Sequence, residues 1–594
     1  MLRGWVMSGP DVHHRWRGLR TLGGGLALLA ALMLLHGGWL ASYWANSARD
    51  GYYTDDVRNL LGFFVYQTPE AFRQDDVVGA YSRAQSPFLH WALVAAFAKM
   101  GLLRELTQFG PPVLWVLTSL LAARVGAALG RWPGALLAAT LVLCVPIYPE
   151  RISGLLSRAL CFPAVFWFAH GLVRDRPREA GAAVIVLAGF YPTVAAALGF
   201  GFAGWRLFAT SSEPLRHRVR TVAIVGGLSV LLLVPTVFRL AEFGETTSPA
   251  DWGQYPEAGP GGILGPNNLY PWRSVLHELN SVQSRLFDDG PWLEGPRQTL
   301  GGPLFEDTIF YLAFGLLGLS ARRNPRARRF LLLGAAALFG HWVTRLFYPW
   351  MYVPTRSLTY VWPPFFLLAV VCGATELSRR LNVGLRRIGS WAAARDLFPS
   401  PRPMYRHGPW VLRWTVFGFV LAAMSGPGDA RAGFVFQRPE EDLALGRFVA
   451  ALPPSTLVAG LPSDDMSNLA WISGRQAFMT GEMHIPHHKG YLEQLRPRLY
   501  AFFDAYLAHE PGRIIAFAET YGVTHFLVDD RHFDEEPFGY MRPFGARVRS
   551  RYRQSRRRGG FALARLGPKA TVAQHGDVRI VSVEKLRAVL NEAP

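Results

Sequence analysis

The chain has 594 residues, 50% of them hydrophobic and only 18% charged, with a mean hydropathy of +0.14 and a formal charge of +19. That is too apolar for an ordinary soluble protein and too polar for a wholly embedded one, so a membrane part joined to a water-exposed part is expected. The Arg residues fall in short clusters between apolar runs, and no basic domain carries interleaved stacking aromatics; this sets nucleic acid aside and fits loops facing anionic lipid. The three cysteines, Cys144, Cys161 and Cys372, all lie in apolar runs. They offer neither a disulfide framework nor a zinc spacing and read as small buried hydrophobes.

The first apolar run, 22–44, follows Arg3, Arg15, Arg17 and Arg20. It is longer than the apolar core of a cleaved signal peptide, so it reads as a retained signal-anchor helix with a cytoplasmic N-terminus. Further apolar runs cover 88–103, 111–123, 135–147, 155–173, 182–207, 221–238, 304–319, 330–347, 359–371 and 409–424. Against the roughly 20 residues needed to span a bilayer, this gives about 11–12 transmembrane helices. The basic segments 216–220, 321–329 and 379–407 read as cytoplasmic; the loop 242–302 and the stretch 348–357 then lie outside. Between 87 and 180 the alternation conflicts. The basic segments 124–131 and 174–179 both read as cytoplasmic, yet two apolar runs separate the outer loop 47–87 from Arg124. Either one run lies in the interface plane or one basic loop is outside. Tyr191-Pro192 marks a hairpin tip between two short helices, because proline disfavours a helical residue before it.

Past Met424 the composition changes. The segment LALGRFVAAL has helical spacing, and STLVAGL, THFLVDD and VRIVSVE read as short buried strands. RIIAFAETYG reads as a helix closed by a C-terminal glycine. Alternating helix and strand predict a soluble α/β domain over 427–594, after a transmembrane domain over 1–426 with outer loops at 45–87 and 241–303. The tract Arg547–Arg558 reads as a solvated or disordered loop, or as a contact for lipid headgroups or an anionic substrate. His90, His170 and His341 read as helix-packing histidines. His484, His487 and His488 are poorly spaced for a zinc clip.

After the first helix the chain reads SARDGYYTDDVRN, with Asp50, Asp55 and Asp56 within seven residues. RDGYY resembles the Asp-x-x-Tyr start of the first outer loop in GT-C glycosyltransferases, a family that includes oligosaccharyltransferases and the mannosyl- and aminoarabinosyl-transferases using polyprenyl-phosphate sugars. The stretch 71–101, with acids mid-loop and a proline opening the next helix, is similar to that family's continuation. YPERISGLLSRAL (148–160) and VPTRSLTY (353–360) resemble its arginine-bearing segments. The resemblance implies Asp50, Asp55 and Asp56 as catalytic acids and Asp75 or Asp76 as a second acid. It further implies Tyr52, Tyr53 and Arg58 as a substrate loop, and Arg356, Arg158 and Arg151 as ligands of the donor phosphate. Some members hold a divalent metal, Mg or Mn, through an acid pair in the second outer loop. Here only Glu150 stands there, which leaves metal dependence open.

The chemistry is consistent with that placement. Inverting transfer needs a base for the acceptor and positive charge for the departing phosphate. The lipid tail of the donor stays in the bilayer, so the reacting groups belong at its edge, where charges avoid the cost of the hydrocarbon. Arginine suits phosphate because its fork makes two parallel hydrogen bonds. The expected protein is a multi-pass enzyme of a bacterial inner membrane with a periplasmic C-terminal domain. It would move a sugar from a polyprenyl-(di)phosphate carrier to a glycan, lipid or protein acceptor. Two other classes compete: a lipid-linked-glycan transporter or flippase, for which no internal repeat shows, and a non-catalytic scaffold of the same fold.

Overall fold

The structure, a computed structural model, describes residues 41–42, 44–45, 52–53, 57–58, 61–65, 76–145, 147–209, 213–258, 302–346, 356–393, 436–437, 440–462, 464–481, 488–535 and 544–592. Asp50, Asp55, Asp56 and Asp75, most of the first apolar run, the run 409–424, and His484 and His487 lie outside the described residues. Among the described residues the protein is mainly helical, with a five-stranded sheet near its C-terminus and a separate two-stranded pairing.

The N-terminal part opens with α1 (Val77–Gln85) and α2 (Phe88–Lys99). At 12 residues α2 is about 18 Å long, against a hydrocarbon core of about 30 Å. The next helical run, Leu103–Cys144, breaks at Arg131, whose φ of 59° and ψ of −149° are rare for a side-chain-bearing residue. Its arms, α3 (103–130) and α4 (132–144), fold back on each other. Ser119 Oγ donates to Ala139 O at 2.9 Å and Trp115 Nε1 to Val142 O at 2.9 Å, although these pairs stand 20 and 27 positions apart. In a straight helix they would be about 30 and 40 Å apart. Gly126 and Gly134 face one another so closely that a Cβ on Gly126 would sit 2.2 Å from Gly134 O. The 124–131 segment thus reverses the chain, as its charge suggests, but the helix runs on to its last residue and Pro133 opens the returning arm.

Next come α5 (Cys161–Arg174), α6 (Pro177–Phe190), α7 (Pro192–Gly204), α8 (Leu215–Ala241), α9 (Gly302–Ala321), α10 (Pro325–Leu346) and α11 (Arg356–Ala393). Tyr191 (φ −150°, ψ 83°) breaks the helix between α6 and α7, as the Tyr-Pro pair predicts. By length and composition, three helical runs among the described residues can cross a membrane: Leu103–Leu143, Leu215–Ala241 and Arg356–Gly384. The first is the α3–α4 hairpin, of which α3 alone has the length. The other two differ in surroundings. The apolar window of α11 is 89% buried, that of α8 only 11%. α11 is therefore the packed centre. α8 exposes Leu228, Val230, Leu231, Val237 and Phe238 in one stretch, an apolar surface that water does not tolerate and lipid does.

The helix bundle has two distinct ends. At one, Arg329 meets Asp175 at 2.8 Å and Arg326 Nη1 donates to Ala128 O at 3.1 Å, joining the α3, α5 and α10 termini. At the other, His90 Nε2 lies 3.3 Å from Leu155 O, Arg239 Nη2 donates to Ser86 O at 2.8 Å, and Arg356 Nη1 donates to Tyr191 OH at 2.6 Å.

The C-terminal part packs on this second end. Its sheet contains β3 (Leu457–Ala459), β4 (Gln476–Ala477), β5 (His525–Asp529), β6 (Thr571–His575) and β7 (Val578–Ser582) in the order β4-β3-β5-β7-β6. β4-β3-β5 are parallel; β5-β7-β6 are antiparallel. The three strands read from sequence are β3, β5 and β7, and Gly522 (φ 67°) caps the helix Pro511–Tyr521. β4 and β6 escaped notice: β4 is two residues long, and β6 is half exposed and polar at its end. The tract 547–558, expected as a solvated or disordered loop or as a contact for lipid headgroups or an anionic substrate, is not a loop but largely the helix Gly545–Arg557, because Val548, Tyr552 and Ser555 give it one buried face. A two-stranded pairing, β1 (Tyr52–Tyr53) with β2 (Phe436–Gln437), ties the first loop to the segment leading into this domain.

Candidate functional site

Between α4 and α5 the chain makes a short helix, Ile147–Ile152, and two 3₁₀ turns, Ser153–Leu155 and Ser157–Leu160. Gly154 (φ 74°) permits the tight bend. These turns carry Arg151 and Arg158 on the second end of the bundle. The first residue of α11 is Arg356. Its guanidinium donates to the phenol of Tyr191 and lies 5.9 Å from that ring's centroid. Arg158 and Arg356, far apart in sequence, both lie within electrostatic reach of the Cys161 thiol and the Tyr191 phenol. They are half-buried. Beneath them Tyr148, Phe162, Tyr360 and Tyr191 form a chain of ring contacts at 4.7, 5.7 and 5.4 Å. The arrangement is two cations and a phenol above an aromatic floor, at a helix-bundle end. Arg151 is directed otherwise and meets Glu150 at 3.1 Å.

The other sequence-predicted residues are placed as follows. Arg58 is fully buried and donates to Asn468 Oδ1, 410 positions away, beneath the C-terminal domain. Tyr52 and Tyr53 form β1. Asp76 is buried and caps α1: one carboxylate oxygen accepts from Gly79 N at 3.0 Å, the other from Arg83 Nη1 at 3.2 Å. Burial pushes the Asp76 carboxyl above its ordinary range, against the pull of Arg83 and the Gly79 amide. A Cβ on Gly79 would come within 2.1 Å of that carboxylate, so only glycine fits there.

The C-terminal domain grips this region through a second set of contacts. Tyr81 stacks on Tyr491 with centroids 3.8 Å apart, and its hydroxyl lies 3.0 Å from His488 Nδ1. Burial lowers the His488 pKa, so at neutral pH that bond joins two uncharged groups. Lys489 reaches Asp251 at 3.0 Å and Glu245 at 3.2 Å, and Arg496 pairs with Glu257 at 2.6 Å. Arg104 Nη2 donates to Trp471 O at 2.8 Å and Ile472 O at 2.5 Å. The sequence reading missed Tyr191 as the partner of Arg356; the Tyr-Pro break that exposes it was the available signal. His488 faces Tyr81.

Among the described residues no three His, Cys, Asp or Glu side chains converge on one point, and Glu150 is engaged by Arg151.

A multi-helix bundle with membrane-length helices carries a small α/β domain over its arginine-lined end. The chain is similar to the archaeal oligosaccharyltransferase AglB from Archaeoglobus fulgidus, solved with an inhibitory peptide and a dolichol-phosphate (12% identity, TM-score 0.44, covering 84% of this chain and 70% of that one). It is also similar to ArnT from Cupriavidus metallidurans (13%, TM-score 0.47, 95% and 98%) and to the arabinofuranosyltransferase AftD from Mycobacteria (14%, TM-score 0.46, 93% and 40%). AglB has also been solved with Zn and sulfate. No protein-family model matches the chain, and no curated protein does. With identities this low and TM-scores under 0.5, the functional reading stands on the chain's own residues.

Proposed function

We propose that the protein is an inverting glycosyltransferase that moves a sugar from a polyprenyl-phosphate or polyprenyl-diphosphate carrier to an acceptor on the outer face of a bacterial inner membrane. The observation that carries this reading is the convergence of Arg158, Arg356 and Tyr191 at the end of the bundle where the C-terminal domain sits. Two guanidiniums and a phenol suit a phosphate, and an aromatic floor suits the apolar neck of its lipid or the face of a sugar. The opposite end, with Arg124, Arg174, Arg176, Arg326 and Arg329, is the cytoplasmic one on charge. We take α2 to lie along the interface, which leaves α3 as the single crossing between the outer loop and Arg124. The domain 427–594 is then periplasmic, over a transmembrane domain 1–426.

In this reading Asp50 takes a proton from the acceptor. The freed oxygen or nitrogen attacks the anomeric carbon, the bond from that carbon to the phosphate oxygen breaks, and its electron pair leaves with the phosphate held by Arg158 and Arg356. Asp50 stands two residues before β1 in the sequence, and β1 pairs with β2. Asp55, Asp56 and Asp75 are further candidates for the acid; Asp76 serves as the clamp on Arg83. The test is purified protein with radiolabelled polyprenyl-phosphate sugars. Asp50→Asn is expected to lower turnover by about 10²-fold or more with folding intact; turnover equal to the parent's removes Asp50 from the mechanism.

A further inference from the structure

Arg158 follows a turn whose backbone is strained. The consecutive residues Gly154 (φ 74°) and Leu155 (φ 50°) both lie in the left-handed region. That region is open to glycine and disfavoured for leucine. A side-chain-bearing residue persists there only where its surroundings over-determine it. The turn runs directly into the 3₁₀ segment Ser157–Leu160 that carries Arg158, and Ala159 N donates back to Leu156 O at 2.8 Å. A change of backbone at Leu155 therefore moves the guanidinium three residues on.

Three contacts hold this strained residue and its neighbour. The Leu155 side chain lies against α3 at Gly110, where an added Cβ would come within 3.1 Å of Leu155 Cδ2. Leu156 is buried in one cluster with Val94 and Ala95 of α2 and with Trp471 and Ile472 of the C-terminal domain. The third contact is polar: Leu155 O meets His90 Nε2 of α2 at 3.3 Å. A carbonyl oxygen only accepts, so Nε2 carries the ring hydrogen and Nδ1 is the bare nitrogen. His90 is 3% exposed, and its Nδ1 has no partner among the described residues. Burying a bare nitrogen is unfavourable, and a side chain that only filled space between helices would do better without one. The other nitrogen, on Leu155 O, is what the imidazole supplies that an apolar ring does not.

We infer that His90 is a positioning residue for donor binding: its Nε2–H holds Leu155 in the left-handed turn and so sets where Arg158 presents its guanidinium. The inference rests on the reading of Arg158 as a ligand of the donor phosphate; His90 itself touches no substrate. The experiment measures binding of a polyprenyl monophosphate without its sugar to the full chain in neutral detergent, well below the melting temperature of every variant. His90→Phe keeps a ring for packing and removes both nitrogens, so the fold should hold while Kd rises about tenfold, the equivalent of one hydrogen bond. His90→Gln places an N–H group where Nε2 stands and should stay within about threefold of the parent. Arg158→Gln should raise Kd about tenfold or more, and adding His90→Phe to it should change Kd by no more than about twofold, because one residue acts through the other. Parent-like binding by His90→Phe overturns the positioning role. So does equal weakening by Phe and Gln, or full additivity with Arg158→Gln; in each case Arg158 survives as a ligand. Parent-like binding by Arg158→Gln ends the phosphate reading itself, and this inference with it.

Discussion

The two ends of the helix bundle are both rich in arginine and use it differently. At the basic end Arg329 and Asp175 are substantially exposed, and Arg176 pairs with Glu179 across one helical turn. Such pairs contribute little to stability; their charge matters as a sum that sets which side faces the cytoplasm. At the other end the arginines are drawn into the structure. Arg58 is fully buried, Arg83 spans Asp76 and Phe63 O, Arg239 covers the Trp91 ring, and Arg356 grips Tyr191. Burial alone does not separate the two kinds, since Arg206, beside the basic segment 216–220, is also fully buried and pairs with Glu213; what differs is the partner each arginine meets.

The sharpest way to break this contrast is Arg356→Ala. Removing a charged hydrogen-bond donor is worth about 1.5–3 kcal/mol, so kcat/KM for a polyprenyl-phosphate sugar should fall by about 10- to 100-fold. Arg356→Lys should recover part of it; unchanged turnover in the Ala variant would end the phosphate assignment. Asp76→Ala should cost about 3 kcal/mol in thermal unfolding, because Arg83 is left buried without its carboxylate. Its pH behaviour has a definite sign. A carboxyl whose folded pKa is raised lends its stability below the unfolded value of about 3.9, and that contribution is lost as pH rises through the folded one. Acidification should therefore not release this contact. Gly126→Ala should lower stability by about 1–3 kcal/mol, since the added methyl meets the backbone of Gly134 where the hairpin arms touch.

Asp251 should show the opposite sign from Asp76. Hydrogen bonds from Ser248 and Lys489 hold its pKa down to about 2, so its contribution is present above about 3.9 and is lost as pH falls toward 2. Amide exchange at 251–255 should quicken over that window, and Asp251→Asn should flatten the response. The smallest effect belongs to Arg329→Ala at the basic end, within about 1 kcal/mol of the parent and without loss of turnover. A large effect there would erase the distinction between the ends.

What could be read from the sequence divides along physical lines. The α6–α7 break was legible because proline restricts its neighbour, and β3, β5 and β7 because continuous apolar runs of strand length leave few alternatives. The reversal at Arg131 was placed in the right segment but not at its residue: helix propensity carries through Ala-Ala-Leu-Gly, and only packing between Gly126 and Gly134 decides where the chain turns. α2 looked long enough to cross because apolarity continues past its end, which Gly101 at φ 70° helps to set. Of the site, Arg158 and Arg356 were legible as arginines beside apolar runs. That they meet at Tyr191 was not, since that proximity is a property of the folded bundle. The helix at 545–557 was hidden by charge, with only Val548 and Tyr552 to mark its inner face.

The pairing of Tyr52–Tyr53 with Phe436–Gln437 has a consequence for biogenesis. An early stretch of the chain waits for a partner that leaves the ribosome only after the whole bundle has been made, and loop closure over such a span comes late. A nascent or truncated protein already sitting in the bilayer would lack this pairing. The β1–β2 pairing is thereby deferred to the end of synthesis.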